Sequence, residues 1–271
     1  MESPTSKSPA FPNVRPPLGP RDPGDTHDAR DPRDPHAGVF KNVLLDALGA
    51  GIVARLHLSP VQFELGHVIE DPDRRIDHLY FVEDGMASMT TTFENGSQVE
   101  VGMFGYQSVI GVSALMGTKR SLNRVYTQIA GYGYSCPVEA ARREFALGGA
   151  FQRLALGYVQ TQLVRVTQLA GCNATHNFEQ RLARWLLICA DRANCDTFRM
   201  SHEFLSGMLG STRSTMSIAA AQLKDANIIG YTRGVIQILD SKALEKRSCE
   251  CYCVVEDYLD DGRQFDSGIP A

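Results

Sequence analysis

The stretch from Ser201 to Leu223, SHEFLSGMLGSTRSTMSIAAAQL, decides how the rest of the chain is read. Ser201 stands two positions before Glu203, where a hydroxyl can cap the first free amides of a helix. Phe204, Leu205, Met208 and Leu209 then give a short apolar face. Gly210 ends it, since glycine enters the left-handed region without a Cβ clash. Ser211, Thr212 and Arg213 restart a helix that turns Met216, Ala219, Ala220 and Leu223 inward and leaves Arg213, Ser214, Ser217 and Ala221 outward. A short helix, a glycine turn and a second helix with a polar N-terminal half is a helix-turn-helix layout. In that layout Arg213 faces base edges in a major groove, where a bidentate pair with guanine gives about 1–3 kcal/mol of discrimination. Taken alone, Arg213 is equally an ordinary surface charge; its place in the turn is what favours the reading role. Ser211, Thr212, Ser214, Thr215 and Ser217 complete the candidate contact set on this helix.

Downstream, Ile228-Ile229 and Val235 to Leu239 flank Tyr231-Thr232-Arg233-Gly234, a hairpin wing whose tip Arg233 can reach a phosphate. Upstream, a helix is predicted from Phe178 to about Arg192, with Leu182, Trp185, Leu186 and Cys189 on one face. Before it, Leu156, Val159, Leu163, Val166 and Ala170 are spaced 3, 4, 3 and 4, a heptad seam on a helix from Phe151 to about Cys172. The seam is short, so packing within its own domain stays open beside a homodimer interface.

Residues 61–137 alternate β-rich runs with Gly, Asp or Asn breaks, which suggests a small antiparallel barrel or jelly roll. His78 to Glu83 ends at Asp84-Gly85, and Met86 to Phe93 joins Ser97 to Met103 through Asn95-Gly96, a hairpin signal in which both residues tolerate positive φ. Val39 to Leu56 reads as an amphipathic helix. The first 36 residues hold nine of the thirteen prolines, show no apolar periodicity and are expected to be disordered.

Charge is uneven along the chain. The net charge is −4, yet residues 175–247 carry ten Lys and Arg against seven Asp and Glu, the one basic segment. No apolar run is long enough to span a bilayer and no signal peptide is visible, so a cytoplasmic location with seven reduced cysteines is expected. Catalytic motifs are missing: there is no Gly-x-Ser-x-Gly, phosphate-binding Gly-Lys loop or His-Glu-x-x-His, and the chain is not expected to be an enzyme.

The run Asn177-Phe178-Glu179-Gln180-Arg181-Leu182-Ala183-Arg184-Trp185-Leu186-Leu187, the turn Gly210 to Met216 and the Gly230 to Gly234 wing resemble the Crp/Fnr family of bacterial transcription regulators over about residues 39–247. The resemblance implies an α+β chain with an N-terminal antiparallel β jelly roll of the cyclic-nucleotide-binding type, a long dimerisation helix and a C-terminal winged helix-turn-helix. It divides the chain into a Pro-rich segment (1–36), sensor (37–149), dimerisation helix (150–174), DNA-binding domain (175–247) and an acidic Cys-containing tail (248–271). It also implies a homodimer, double-stranded DNA, RNA polymerase and a small-molecule effector as partners, with no membrane. Arg213 falls on the family's guanine-reading Arg. Ser214 replaces the Glu common in cyclic-AMP receptors, so a different half-site is expected.

By the same resemblance, Gly105, Gln107, Ser108, Arg124 and Val125 correspond to the effector pocket. Gln107 replaces the carboxylate that holds the ribose, and Val125 the small hydroxyl residue beside the phosphate-binding Arg124. Both changes argue against tight cyclic AMP binding and leave either another small ligand or a vestigial pocket. Residues 1–135 contain no cysteine, against an N-terminal iron-sulfur cluster. Cys249-Glu250-Cys251-Tyr252-Cys253 is dense in thiols, but a soft-metal site usually needs four ligands. His176, His202, Cys172, Cys189 and Cys195 lie scattered along the sequence, so ordinary reduced thiols and no metal are expected. The remaining alternative is a ligand-binding or protein-interaction module built on the same fold.

Overall fold

The structure is a computed structural model that describes residues 40–254. The proline-rich segment 1–36 and the acidic residues 255–271 lie outside the described residues. The predicted first helix is two short ones, α1 (Val43–Asp46) and α2 (Ala50–Arg55), because Gly49 takes an extended conformation between them. Asn42 caps α1 from a fully buried position, and its side-chain amide donates to the carbonyls of Val82 and Ser108, tying the N-terminus to the strands.

Eight strands follow: β1 (Ser59–Phe63), β2 (Val68–Glu70), β3 (His78–Val82), β4 (Met86–Thr92), β5 (Gln98–Phe104), β6 (Val109–Ile110), β7 (Arg124–Ile129) and β8 (Gly131–Pro137). They form two four-stranded antiparallel sheets, ordered β1-β8-β3-β6 and β2-β7-β4-β5. Period-2 alternation sends Phe63, Val82, Ala87, Phe104, Ile110 and Val125 into one core between the sheets, the sandwich expected from the β-rich runs. The β4–β5 hairpin is also where expected. Its turn differs: Phe93 pairs with Ser97 and only Gly96 takes positive φ, at 80°, so Asn95 is not in the left-handed region. The Asn95 carboxamide oxygen instead accepts from the Ser97 amide at 3.0 Å.

Each sheet has a different cover. Against the first lie α1, α2, α3 (Val138–Ala146) and the start of α4 (Ala150–Thr175), sharing a core with Leu79, Phe81 and Cys136. Against the second lies the C-terminal domain, whose core includes Met86 and Met103 from β4 and β5. That domain runs α5 (Phe178–Ala193), β9 (Thr197–Arg199), α6 (His202–Met208), α7 (Arg213–Asp225), β10 (Ile229–Thr232), β11 (Val235–Ile238) and α8 (Ser241–Arg247). α4 is a continuous 26-residue helix, and its first turns are buried while Leu156, Leu163 and Val166 stand 38%, 57% and 38% exposed. At His176 and Asn177 the backbone becomes extended, and Asn177 opens α5 with a reciprocal capping box to Gln180. No described helix is long and apolar enough to cross a membrane.

Candidate DNA-binding interface

The two helices of the turn form for the reasons their sequence gives. The Ser201 hydroxyl accepts from the Phe204 amide at 3.1 Å and caps α6; Gly210 turns at φ 60°; the Thr212 hydroxyl accepts from the Thr215 amide at 3.1 Å and caps α7. Met216, Ala219, Ala220 and Leu223 are all buried against α5, α6 and the wing. The wing hairpin turns through Arg233 and Gly234, both at positive φ, 52° and 78°. Such a turn matches the strand twist, and holding arginine there costs about 1 kcal/mol relative to glycine. β9 pairs with β11 as a third wing strand; its three residues are too few for a period to be read.

The candidate contact residues fall into two groups. Arg213, Ser214 and Arg233 are exposed, the first two at the open N-terminal end of α7. Thr212 and Thr215 share a hydroxyl hydrogen bond of 2.9 Å, and the Ser211 amide donates to the Ser206 carbonyl at 2.8 Å. The half-buried Ser217 hydroxyl donates to the Arg213 carbonyl and so accepts from His202 Nδ1 at 3.0 Å, bracing α7 against α6. His202 stacks on Tyr231 of the wing with ring centroids 4.3 Å apart; burial first, then Arg213, holds its pKa below the usual histidine value. One outward residue escaped the sequence reading: Ile218, 59% exposed, one turn beyond Ser214 on the same face. An apolar residue four positions after an exposed serine was the available signal.

The five effector-pocket candidates are placed as follows. Gly105 and Gln107 abut the end of α5, where the Arg192 guanidinium donates to the Gln107 side-chain Oε1. Ser108 is fully buried, its hydroxyl accepting from the Gly105 amide. Arg124 opens β7 opposite Thr90, and Val125 is inside the sandwich core. None of the five lines a cavity of about 80 Å³ between β5, α4, α5 and α6. Glu100, Arg165, Arg184, Trp185, Arg192 and Met208 are among the residues around that cavity. In its wall the buried Glu100 accepts from Trp185 Nε1 at 2.7 Å and from the Ser88 hydroxyl at 2.6 Å. Burial pushes the Glu100 carboxyl up to about 7, opposed by those two hydrogen bonds and by Arg184.

The tail reading is corrected for its described part. Residues 248–254 fold back on the domain, with Tyr252 donating to Asp191 of α5 at 2.8 Å and a helical turn at 251–254. The sequence scatter of Cys172 and His176 also misled, because the fold brings both beside Cys249 and Cys251, with one ligand atom of each within 4.8 Å of the others. Cys189, Cys195 and His202 are not part of that group.

Residues 180–247 match the Crp-like helix-turn-helix domain. The helix-turn-helix domain is therefore Crp-like, as the resemblance implied. The global nitrogen regulators of Synechococcus elongatus and Nostoc are each 24% identical to it, over 74% and 65% of this chain and 93% and 83% of their own lengths. Among solved structures, FixK2 from Bradyrhizobium japonicum superposes with a TM-score of 0.62 at 17% identity, covering 72% of this chain and 98% of its own. A Crp/Fnr-family regulator from Eubacterium rectale gives 0.61 at 17% identity, covering 75% and 96%. These likenesses fix the architecture: a β-sandwich, a long helix and a winged helix-turn-helix.

Proposed function

We propose that this Crp/Fnr-type regulator acts in the cytoplasm as a homodimer on near-palindromic double-stranded DNA, reading guanine with Arg213 and holding backbone phosphate with Arg233. The observation that carries this is the exposed, capped N-terminal end of α7, which offers Arg213 and Ser214 while the flanking hydroxyls are spent on local bonds. Ile218, one turn on, suits contact with a thymine methyl. The dimer reading rests on the apolar stripe of Leu156, Leu163 and Val166 left exposed on α4, continuous with the half-buried Val159. Two-fold pairing through this stripe places two α7 helices on successive half-sites. RNA polymerase is the partner whose recruitment or exclusion such binding would control.

In the same reading cyclic AMP is not the effector. Gln107 is engaged by Arg192 rather than open to a sugar, and Val125 is packed in the core. Calorimetry with cyclic AMP should give no submicromolar binding.

The test selects bound fragments from random DNA and compares two variants on the selected site, on a half-site guanine variant and on unrelated DNA at several salt concentrations. Arg213→Ala should cost about 1–3 kcal/mol per half-site and relax preference at one position. Arg233→Ala should weaken every DNA about equally and make the salt dependence shallower by nearly one unit per subunit. Equal loss on all three DNAs for Arg213→Ala would overturn its base-reading role, and a monomer by light scattering, free and on DNA, would overturn the dimer.

A further inference from the structure

Cys172 lies in the last turn of α4, and His176, four residues on, is the extended residue that ends the helix. Cys249 and Cys251 flank the turn that follows α8, 77 residues downstream of Cys172 in the case of Cys249. The fold brings these four together and buries the three thiols, with Cys172 0%, Cys249 4% and Cys251 3% exposed in a cluster apart from the three apolar cores, while the His176 side chain is 17% exposed at its edge. Cys172 Sγ lies 3.5 Å from Cys249 Sγ, and Cys251 Sγ lies 3.5 Å from His176 Nδ1. A tetrahedral ion with metal–sulfur bonds of about 2.3 Å and metal–nitrogen bonds of about 2.0 Å needs ligand atoms roughly 3.5–3.8 Å apart. Both measured edges are at or close to that range, and no pair in the group exceeds 4.8 Å.

The surroundings suit a metal as well as the ligands do. His176 Nε2 is 3.2 Å from a Glu250 carboxylate oxygen, so its proton is held there and Nδ1 is left with a lone pair facing the thiols. Gln168 Nε2 donates to Cys251 Sγ at 3.0 Å and so orients that sulfur. Three thiolates and a neutral imidazole around a divalent ion leave one net negative charge. Burial pushes the Cys172 thiol up to about 12 and the buried Arg184 guanidinium nearby opposes that shift; the same positive charge can balance a bound metal-thiolate group.

We propose that Cys172, His176, Cys249 and Cys251 form a Cys3His site for a single thiophilic divalent ion of the zinc class. The site bridges the end of α4 to the segment after α8 and so spans the extended His176-Asn177 link between α4 and α5. One ion there fixes the angle between the long helix and the DNA-binding domain. An iron-sulfur cubane holds its ligands around four irons and fits poorly within 4.8 Å; a Cys172–Cys249 disulfide would consume two ligands and use neither Cys251 nor His176.

The full-length protein, purified under anaerobic reducing conditions, is titrated with Zn2+ and, separately, with Co2+ as a spectroscopic probe. One ion per chain is expected, with tetrahedral ligand-field bands and thiolate-to-cobalt charge transfer. Cys251→Ser and His176→Ala should each lower Zn2+ affinity at least tenfold, while Cys253→Ser and Cys195→Ser should leave it unchanged. Should a ligand variant fail to fold, chelation of the wild-type chain answers the same question: removing Zn2+ should raise the rate of proteolysis at 176–177, and readdition should restore it. Binding weaker than micromolar, equal loss in Cys253→Ser, an iron-sulfur chromophore with several irons per chain, or a native Cys172–Cys249 disulfide would each overturn the proposal. These readouts use the metal alone and stand apart from DNA binding.

Discussion

The N-terminal end of α7 and the corner after β5 treat their polar side chains in opposite ways. On α7, Arg213 and Ser214 are held outward by a cap that another residue, Thr212, provides. At the corner, Gln107 is taken by Arg192, and Ser108 is fully buried on Gly105. Nearby, in the wall of the cavity, Glu100 is bound from both sides by Ser88 and Trp185. A side chain whose hydrogen-bonding capacity is unspent can serve a partner; one spent on the neighbouring domain serves the fold. The corner is therefore a joint between the sandwich and the helix-turn-helix domain, and the helix end is left exposed for the reading role proposed for it.

Four measurements break or sharpen that contrast. The largest effect belongs to the joint: Trp185→Ala removes a side chain 2% exposed in the C-terminal core and takes from the buried Glu100 one of its two donors, and should cost about 3–5 kcal/mol by urea denaturation. A loss under 1 kcal/mol would mean the domains are not packed as described. Next comes pH. The Glu100 carboxyl is raised from its usual 4.5 to about 7, so between those values the folded chain holds a proton that the unfolded chain has released. Stability should fall as pH rises through that window, by up to about 3 kcal/mol. Glu100→Gln, neutral throughout, should flatten this limb between pH 5 and 8; an unchanged pH profile would show that the carboxyl is not desolvated at the joint. Smaller is Gln107→Ala, expected to lose about 1–2 kcal/mol with the Arg192 bond while leaving DNA preference alone. Smallest is Ser214→Ala, which should change stability by less than about 0.5 kcal/mol and show only in the selected DNA sequence. If Gln107→Ala and Ser214→Ala exchanged these outcomes, the contrast between joint and reader would be reversed.

What the residues reveal in advance follows the range of the interactions involved. The turn Ser201 to Leu223 was legible because its caps and its glycine act within three or four residues, and the wing because Arg233-Gly234 is a local turn. The sandwich was legible through alternation and hairpin signals. Its pairing order was not, since β1 meets β8 and β2 meets β7 across most of the domain. The same distance hid the joint: Glu100 and Trp185 are 85 residues apart, and neither side chain announces the other. Cys172 and His176 were visible as residues but not as neighbours of Cys249 and Cys251, because the fold-back of residues 248–254 rests on Tyr252 and Asp191. The single helix expected from Val39 to Leu56 breaks at Gly49, whose backbone freedom overrides the apolar spacing on either side.

Gly105 carries a consequence of its own. A Cβ there would collide with the backbone carbonyl of Arg192, and a main-chain atom cannot rotate away as a side chain can. Gly105→Ala would therefore act as a wedge one methyl wide, driven between the sandwich and the end of α5. An engineer could use it to pry the sandwich from the helix-turn-helix domain without touching α7, and thereby ask whether that domain, set loose, keeps whatever selectivity for DNA the intact chain has.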